Sequence, residues 1–488
     1  MTEALTSRRW LTSTLLAAVA ALLGVIVARQ SNYAVGLVAM GVVLLLAFRA
    51  PVTHLTILLG LTAIVPYTLE NRYHAGGAGA GTPGLLASDL FLLTGLIRSA
   101  TVLPRMRLGR RRMTVLCLVL LFCAFTVFEA YQGLRAGQTV SNVGAEFRTL
   151  AGGFATALIA MTVLEDRDAH PRMLKSLALL GLALGLWGIA QWALNLSFAG
   201  DFGVRTGVTL TTNGVGQLQG GLFSFPVAVI LAVSALVSRQ LSGWRARLFV
   251  IAVLIVNLVS LLLTFERTFW VITGLGAILV ALRANPGRRA RALLWLAGSL
   301  SVGLITLAIA SPTTFQTAQQ RLLSIGQYQT DNSVRYRSVE SGFVLQKIRE
   351  KPLFGWGLAD TIYWGQPWDQ TTPSEEAYTH VGFLWLFWRE GFVGGAVLLL
   401  LLGLSVAWPG RAAAGDLVAS VRTGCQASLV ALLIADVTFP AFQGYAITFV
   451  MGFLVAYCAL PVLPGRSLRA MRAGRPGLAP RRPAEQAS

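Results

Sequence analysis

The chain is a near-continuous succession of apolar runs, each about as long as a lipid bilayer is thick. Fourteen can be read: 10–28, 33–48, 52–68, 85–98, 113–131, 149–164, 173–196, 219–238, 248–264, 268–283, 292–311, 383–408, 421–439 and 446–463. An α-helix rises about 1.5 Å per residue, so roughly 20 apolar residues cross a hydrocarbon core. No water is available at that depth, so every backbone N–H and C=O must be satisfied inside its own segment, which leaves helices for runs of this length. Composition agrees: 55% of the 488 residues are hydrophobic and only 12% are charged, against roughly 25% charged in soluble domains. The expected fold class is an all-α integral membrane protein with about 12–14 transmembrane helices. Its first run follows Arg8 and Arg9, is too long for a usual signal peptide and lacks a cleavage site, so it reads as a retained anchor.

A net charge of +19 invites a nucleic-acid reading. The cations exclude it, because they are nearly all Arg and fall between apolar runs instead of forming one basic face. Counting from a cytoplasmic N-terminus, the even-numbered connections carry Arg49; Arg98, Arg105, Arg107 and Arg110 to Arg112; Arg167, Arg172 and Lys175; Arg239, Arg245 and Arg247; Arg283, Arg288, Arg289 and Arg291; and Arg411 with Arg422. Short odd-numbered connections are poor in Arg. The positive-inside rule then puts both termini in the cytoplasm and the hydrophilic stretch 312–379 outside. On this reading 1–311 holds eleven helices, 312–379 is one large, partly helical outer loop, 380–463 holds three more helices, and the Pro- and Arg-rich 464–488 is a disordered basic tail. Cys117, Cys123, Cys425 and Cys458 all lie in apolar runs and show neither disulfide nor metal spacing.

Outer-side cations need an explanation that topology does not supply. Three groups stand out: Val204-Arg205-Thr206-Gly207 with Asn213 nearby, Thr264-Phe265-Glu266-Arg267-Thr268 between two helices with almost no loop, and the long loop with Arg335, Arg337 and His380. A guanidinium at such depth is costly unless it meets a partner or a polar cavity. A bridge to Glu266 or snorkelling would satisfy Arg267; a second reading is an anion site, since Arg presents a planar fork of donors matched to phosphate oxygens. Ser333 to Arg337 precede a helix-like stretch from Ser338 to Lys351, after which Pro352-Leu353-Phe354-Gly355-Trp356-Gly357 reads as a turn with flexible backbone. Of the four histidines, only His380 lies where the large loop re-enters the membrane. Its imidazole can take a proton near neutral pH, although a histidine at a helix start is often only a hydrogen-bonded structural residue.

Taken together, these motifs resemble the O-antigen ligase and polymerase family of bacterial polytopic enzymes. The likeness rests on Arg337 some fifteen residues before Pro352-Leu353-Phe354-Gly355-Trp356-Gly357, on His380 opening a segment that ends in Glu390-Gly391-Phe392-Val393-Gly394, on Arg205 before Asn213, and on Arg267-Thr268. Glu266 stands where the family has a small residue, and Val381 where it has an Asn. The resemblance covers roughly 204–394.

It implies a GT-C-like membrane glycosyltransferase in the bacterial cytoplasmic membrane. The donor would be an undecaprenyl-diphosphate-linked glycan and the acceptor a glycan or glycolipid. A flippase or chain-length regulator would be a neighbour. Residue by residue, it implies diphosphate binding by Arg205, Arg267, Arg335 and Arg337, and catalysis by His380 and Arg337 in one inverting displacement. No cofactor is expected, and no Asp, Glu and His cluster with ligand spacing points to a metal, although Glu375 and Glu376 stand near His380. Trp356, Tyr363, Trp364, Trp368 and Tyr378 could stack on sugar rings. The alternative class is a lipid-linked oligosaccharide flippase. A flippase should carry its cations along a central cavity between similar halves, whereas the outer cluster here is lopsided toward the second half of the chain.

Overall fold

In the computed structural model of the chain, the described residues are 31–64, 86–166, 168–199, 205–210, 216–218, 224–238, 241, 243–284, 286–323, 332–364, 374–408 and 417–460. The run at 10–28, His74, Asn213, Trp368 and the basic tail lie outside them. Among the described residues, each run from 33 onward falls mainly on helix. These helices are α1 Ser31–Arg49, α2 Pro51–Ile64, α3 Ala87–Val102, α4 Arg110–Arg135, α5 Val140–Phe147, α6 Gly153–Val163, α7 Ala169–Ala193, α8 Ser224–Val237, α9 Trp244–Leu263, α10 Arg267–Leu282, α11 Pro286–Ala310, α14 Gly382–Ala407, α15 Leu417–Ala435 and α16 Tyr445–Cys458. Among the described residues, six helices are long and apolar enough to cross a membrane, and five more apolar helices are shorter.

Two small helices centre the bundle. All residues of α6 are buried, and α16 packs along it so closely that a Cβ on Gly452 would meet the carbonyl of Gly153. Small residues let helix backbones approach where lipid gives no hydrophobic drive to associate. One buried core gathers around this pair with α2, α3, α4, α14 and α15; a second joins α7 to α11 with α15. Helix direction gives the molecule two ends. The α9 helix runs from Arg245 and Arg247 to Thr264, and α10 returns from Arg267 to Arg283, so the turn at 264–267 lies opposite the Arg-rich connections.

The described residues of the hydrophilic stretch form α12 Pro312–Leu323, α13 Asn332–Glu350 and a hairpin of β4 Ile362–Trp364 with β5 Ser374–Glu376. Antiparallel pairing sets Tyr363 opposite Glu375. A second small sheet, β1 Ser197–Ala199, β2 Arg205–Leu210 and β3 Gly216–Leu218, follows α7.

The turn 352–357 corrects an expectation, because it is pinned and not free. Gly391 breaks α14 with φ 60° and ψ −174°, a conformation essentially confined to glycine. The break exposes backbone groups that the turn then satisfies. Trp356 N–H donates to Trp388 O at 2.9 Å and Gly357 N–H to Arg389 O at 3.2 Å, while Phe392 N–H donates to Pro352 O at 2.8 Å and Val393 N–H to Leu353 O at 3.1 Å. A Cβ on Gly355 would strike the Arg389 carbonyl, and one on Gly391 the Leu353 carbonyl. The glycines of this motif serve close backbone approach.

Candidate active site

The α9–α10 turn is built by its own residues. Thr264 Oγ donates to Leu261 O at 2.7 Å and accepts from Glu266 N–H at 3.2 Å, and Phe265 takes a left-handed φ of 52°. Arg267 thereby becomes the first residue of α10. The N-terminal turn of a helix carries unpaired N–H groups and partial positive charge, which favour an anion.

A single connection ties this turn to the start of α14. Thr438 Oγ1 lies 3.2 Å from Thr268 Oγ1, and the Phe269 and Phe439 rings meet edge to face at 4.9 Å. From the same connection, Gln443 donates its amide to Thr379 O at 2.9 Å, and Asp436 O accepts from Gly382 N–H at 2.8 Å. The residues flanking His380 and those flanking Arg267 are held by one loop.

Helix α13 supplies the third side. His380 N–H donates to Glu340 Oε2 at 3.0 Å, and His380 Nδ1 lies 3.2 Å from both carboxylate oxygens. The Glu340 side chain is 2% exposed against 28% for His380, so the carboxylate is enclosed while the ring reaches solvent. A carboxylate only accepts, so this contact puts the proton on Nδ1 and leaves the Nε2 lone pair free. Tyr336 and Tyr378 brace the ring edge-on, with centroids at 5.3 and 4.9 Å. Burial pushes the Tyr378 phenol well above its ordinary range; Glu340 adds to this, Arg337 opposes it, and Glu266 and Tyr336 add further. Tyr336 is raised too, by burial first and then by Glu340 and Glu376. Tyr378 thus lies in the field of Glu266 from the α9–α10 turn and of Arg337 and Glu340 from α13. Arg337 is half-buried, and its Nε has no hydrogen-bond partner.

Other expected site residues fall elsewhere. Helix α13 begins at Asn332, earlier than Ser338, so Arg335 and Arg337 share a helix. Residues two apart on a helix point about 200° apart, and Arg335 is exposed; the two do not form one fork. Arg205 opens β2 opposite Ala199, at the end of the bundle where α7 and α9 finish. Trp356 is a structural residue. Its indole donates to Lys347 O at 2.8 Å, and Lys347 and Lys351 sit over its ring at 3.8 and 3.9 Å. Tyr363 is exposed. His54 is buried against Thr94 Oγ1 at 2.9 Å, and His170 faces the Tyr457 ring. Among the described residues, no three of His, Cys, Asp and Glu gather closely enough to hold a metal ion.

Two features escaped the sequence reading. One is Glu340. The other is a buried network that fastens the loop beneath the site. Fully buried Arg389 is paired with Glu146, its Nη2 donating to Oε1 at 2.9 Å and its Nε lying 2.9 Å from Oε2, and it donates to Asp360 O at 2.5 Å and Ala377 O at 2.7 Å. Glu146 also accepts from Ala359 N–H at 2.7 Å, and Asp360 accepts from Lys347 and the Trp388 indole at 3.0 and 2.8 Å.

Residues 250–399 match the family model of the O-antigen ligase. This segment is similar to the O-antigen ligase family over about a third of the chain. It runs from α9 into α14 and contains Arg267, Arg337, Glu340, His380 and Arg389, whereas Arg205 precedes it. The matched segment therefore includes every side that the geometry brings to His380 except the 436–443 connection. No curated protein matches the chain at a significant level.

Proposed function

We propose that the chain transfers a glycan from a lipid diphosphate to an acceptor hydroxyl, at the end of the bundle where His380 lies. The observation that carries this reading is the Glu340–His380 pair beside Arg337, inside the segment that matches the O-antigen ligase model. The donor is an undecaprenyl-diphosphate-linked glycan. Its diphosphate rests on Arg267, at the positive end of α10, and on Arg337; Arg205, on β2 at the same end of the bundle, is a further candidate for it. Arg335, on another face of α13, draws the anionic lipid to the surface.

The reaction is one displacement. His380 Nε2 takes the proton of the acceptor hydroxyl as its oxygen attacks the anomeric carbon. The bond from that carbon to the phosphate oxygen breaks, and its electron pair leaves on the diphosphate. Fixed guanidinium groups stabilise charge developing there without reorganising. The Glu340 carboxylate holds the ring in its reactive tautomer and stabilises the imidazolium that forms, the part played by a buried acid in hydrolase triads. Attack from the face opposite the leaving group inverts the anomeric centre. No metal enters this scheme.

Purified protein reconstituted with a labelled lipid-diphosphate glycan and an acceptor tests it. The expected result is product formation that falls about 10²–10⁴-fold with His380→Ala. Full transfer activity in that variant would remove His380 from the mechanism. Movement of the donor across the bilayer without product growth would favour a transporter.

A further inference from the structure

A large cavity lies far from His380, at the Arg-rich end. It is a groove of about 1020 Å³ between α8, α9 and α11, with Arg247, Arg288 and Arg291 at one end, Ser238 beside them, and Trp295 and Ser299 along its wall. Arg247 and Thr264 are seventeen residues apart on and just past α9, which at helical rise separates the groove's mouth from the α9–α10 turn by about 26 Å. The groove is therefore not an extension of the proposed active site.

Its chemistry is amphiphilic. Three guanidinium groups border the mouth, and the Nη2 of Arg288 is buried without a hydrogen-bond partner. A buried, unsatisfied cationic donor is costly and calls for an anion. Beyond the cations the lining becomes apolar, with Leu294, Trp295 and Val302 from α11 facing Ile251 and Ile255 from α9. The α11 helix is the least buried of the six long spans, 18% against 28–67%, so the groove borders the lipid itself. From Arg288 to Val302 the helix advances about 21 Å, whereas the hydrocarbon of one leaflet is about 15 Å deep. A phosphate headgroup plus the chain depth of one leaflet matches that length.

We propose that this groove is a binding site for one anionic phospholipid, its phosphate held by Arg247, Arg288 and Arg291 and an acyl chain lying along α11. Arg suits this role because its planar fork pairs with phosphate oxygens and its charge persists at any working pH.

Native mass spectrometry of the full chain in detergent, titrated with phosphatidylglycerol and with phosphatidylcholine of the same chain length, tests it. One phosphatidylglycerol should be retained in preference to phosphatidylcholine. Replacing both Arg288 and Arg291 by Ala should weaken that retention about thirtyfold, from roughly fivefold per basic residue, and leave phosphatidylcholine unchanged. The second variant is Gly298→Leu, whose added Cβ meets nothing within 4 Å and so enters open groove; it should displace the lipid without changing charge. Equal retention of the two lipids, undiminished phosphatidylglycerol in either variant, or its displacement by a polyprenyl phosphate would overturn the assignment.

Discussion

Glu340 accepts a hydrogen bond from the backbone N–H of His380 at 3.0 Å while its carboxylate faces His380 Nδ1 at 3.2 Å. One side chain therefore fixes both where the imidazole sits and which nitrogen is free. Replacing Glu340 by Gln keeps the shape but removes the charge that stabilises an imidazolium. The expected result is a fall in kcat of about 10²-fold or more with KM nearly unchanged, and partial recovery in Glu340→Asp. Unchanged kcat in Glu340→Gln would make the contact merely structural.

Arg337 and Arg335 can be separated by function as they are by geometry. Arg337→Ala should lower kcat/KM about 10²–10³-fold, the scale of losing one fixed donor to developing charge. Arg337→Lys should remain strongly impaired, because an ammonium cannot reproduce a planar fork. Arg335→Ala should change kcat/KM by no more than about threefold and mainly at low salt, as expected for an exposed steering charge. Equal losses in the two Ala variants would contradict the face assignment.

Tyr378 should act as a neutral phenol throughout the usable pH range, because burial disfavours its phenolate and Glu340 reinforces that effect. Removing the hydroxyl in Tyr378→Phe should cost about 3–10-fold in kcat/KM, the worth of one ordinary hydrogen bond. The alkaline limb of the pH–rate profile should be the same in both proteins, since the phenol does not ionise there. A limb near pH 10 that disappears in Tyr378→Phe would show the phenol titrating in its normal range.

The Arg389–Glu146 pair makes a prediction about stability. Arg389→Met leaves Glu146 buried and unpaired and should destabilise the protein by about 3–5 kcal/mol. Adding Glu146→Leu removes the orphaned charge, so the double variant should melt at a higher temperature than Arg389→Met alone, as followed by thermal unfolding in detergent. A double variant that melts below both single variants would show the pair to be worth more than its desolvation.

Much of this architecture could be read from the chain because bilayer thickness sets one strong length scale. Apolar runs and helices coincide from residue 33 onward for that reason. The site was harder to read, and α13 shows why. With the helix started at Ser338, Arg335 and Arg337 looked like an alternating pair, and Glu340 was one acid among several. Starting at Asn332, the helix puts Tyr336, Arg337 and Glu340 at i, i+1 and i+4, so all three share one broad face. That signal was present, but it depended on a helix boundary in a segment with no bilayer to fix it. Glu340 and His380 are forty residues apart, and no local pattern joins them. The glycines at Gly355, Gly357 and Gly391 were visible as a motif, yet flexibility and close approach leave the same mark in a sequence.

The break at Gly391 has a consequence for how the protein can move. The turn 352–357 is bonded across that break, so α13, the turn and α14 behave as a single casting, with Glu340 on one limb and His380 on the other. A lid motion of the loop would pull the acid away from the histidine. Under the proposed mechanism, turnover requires this casting to stay intact, so a protein in which it is cracked should lose activity before it melts.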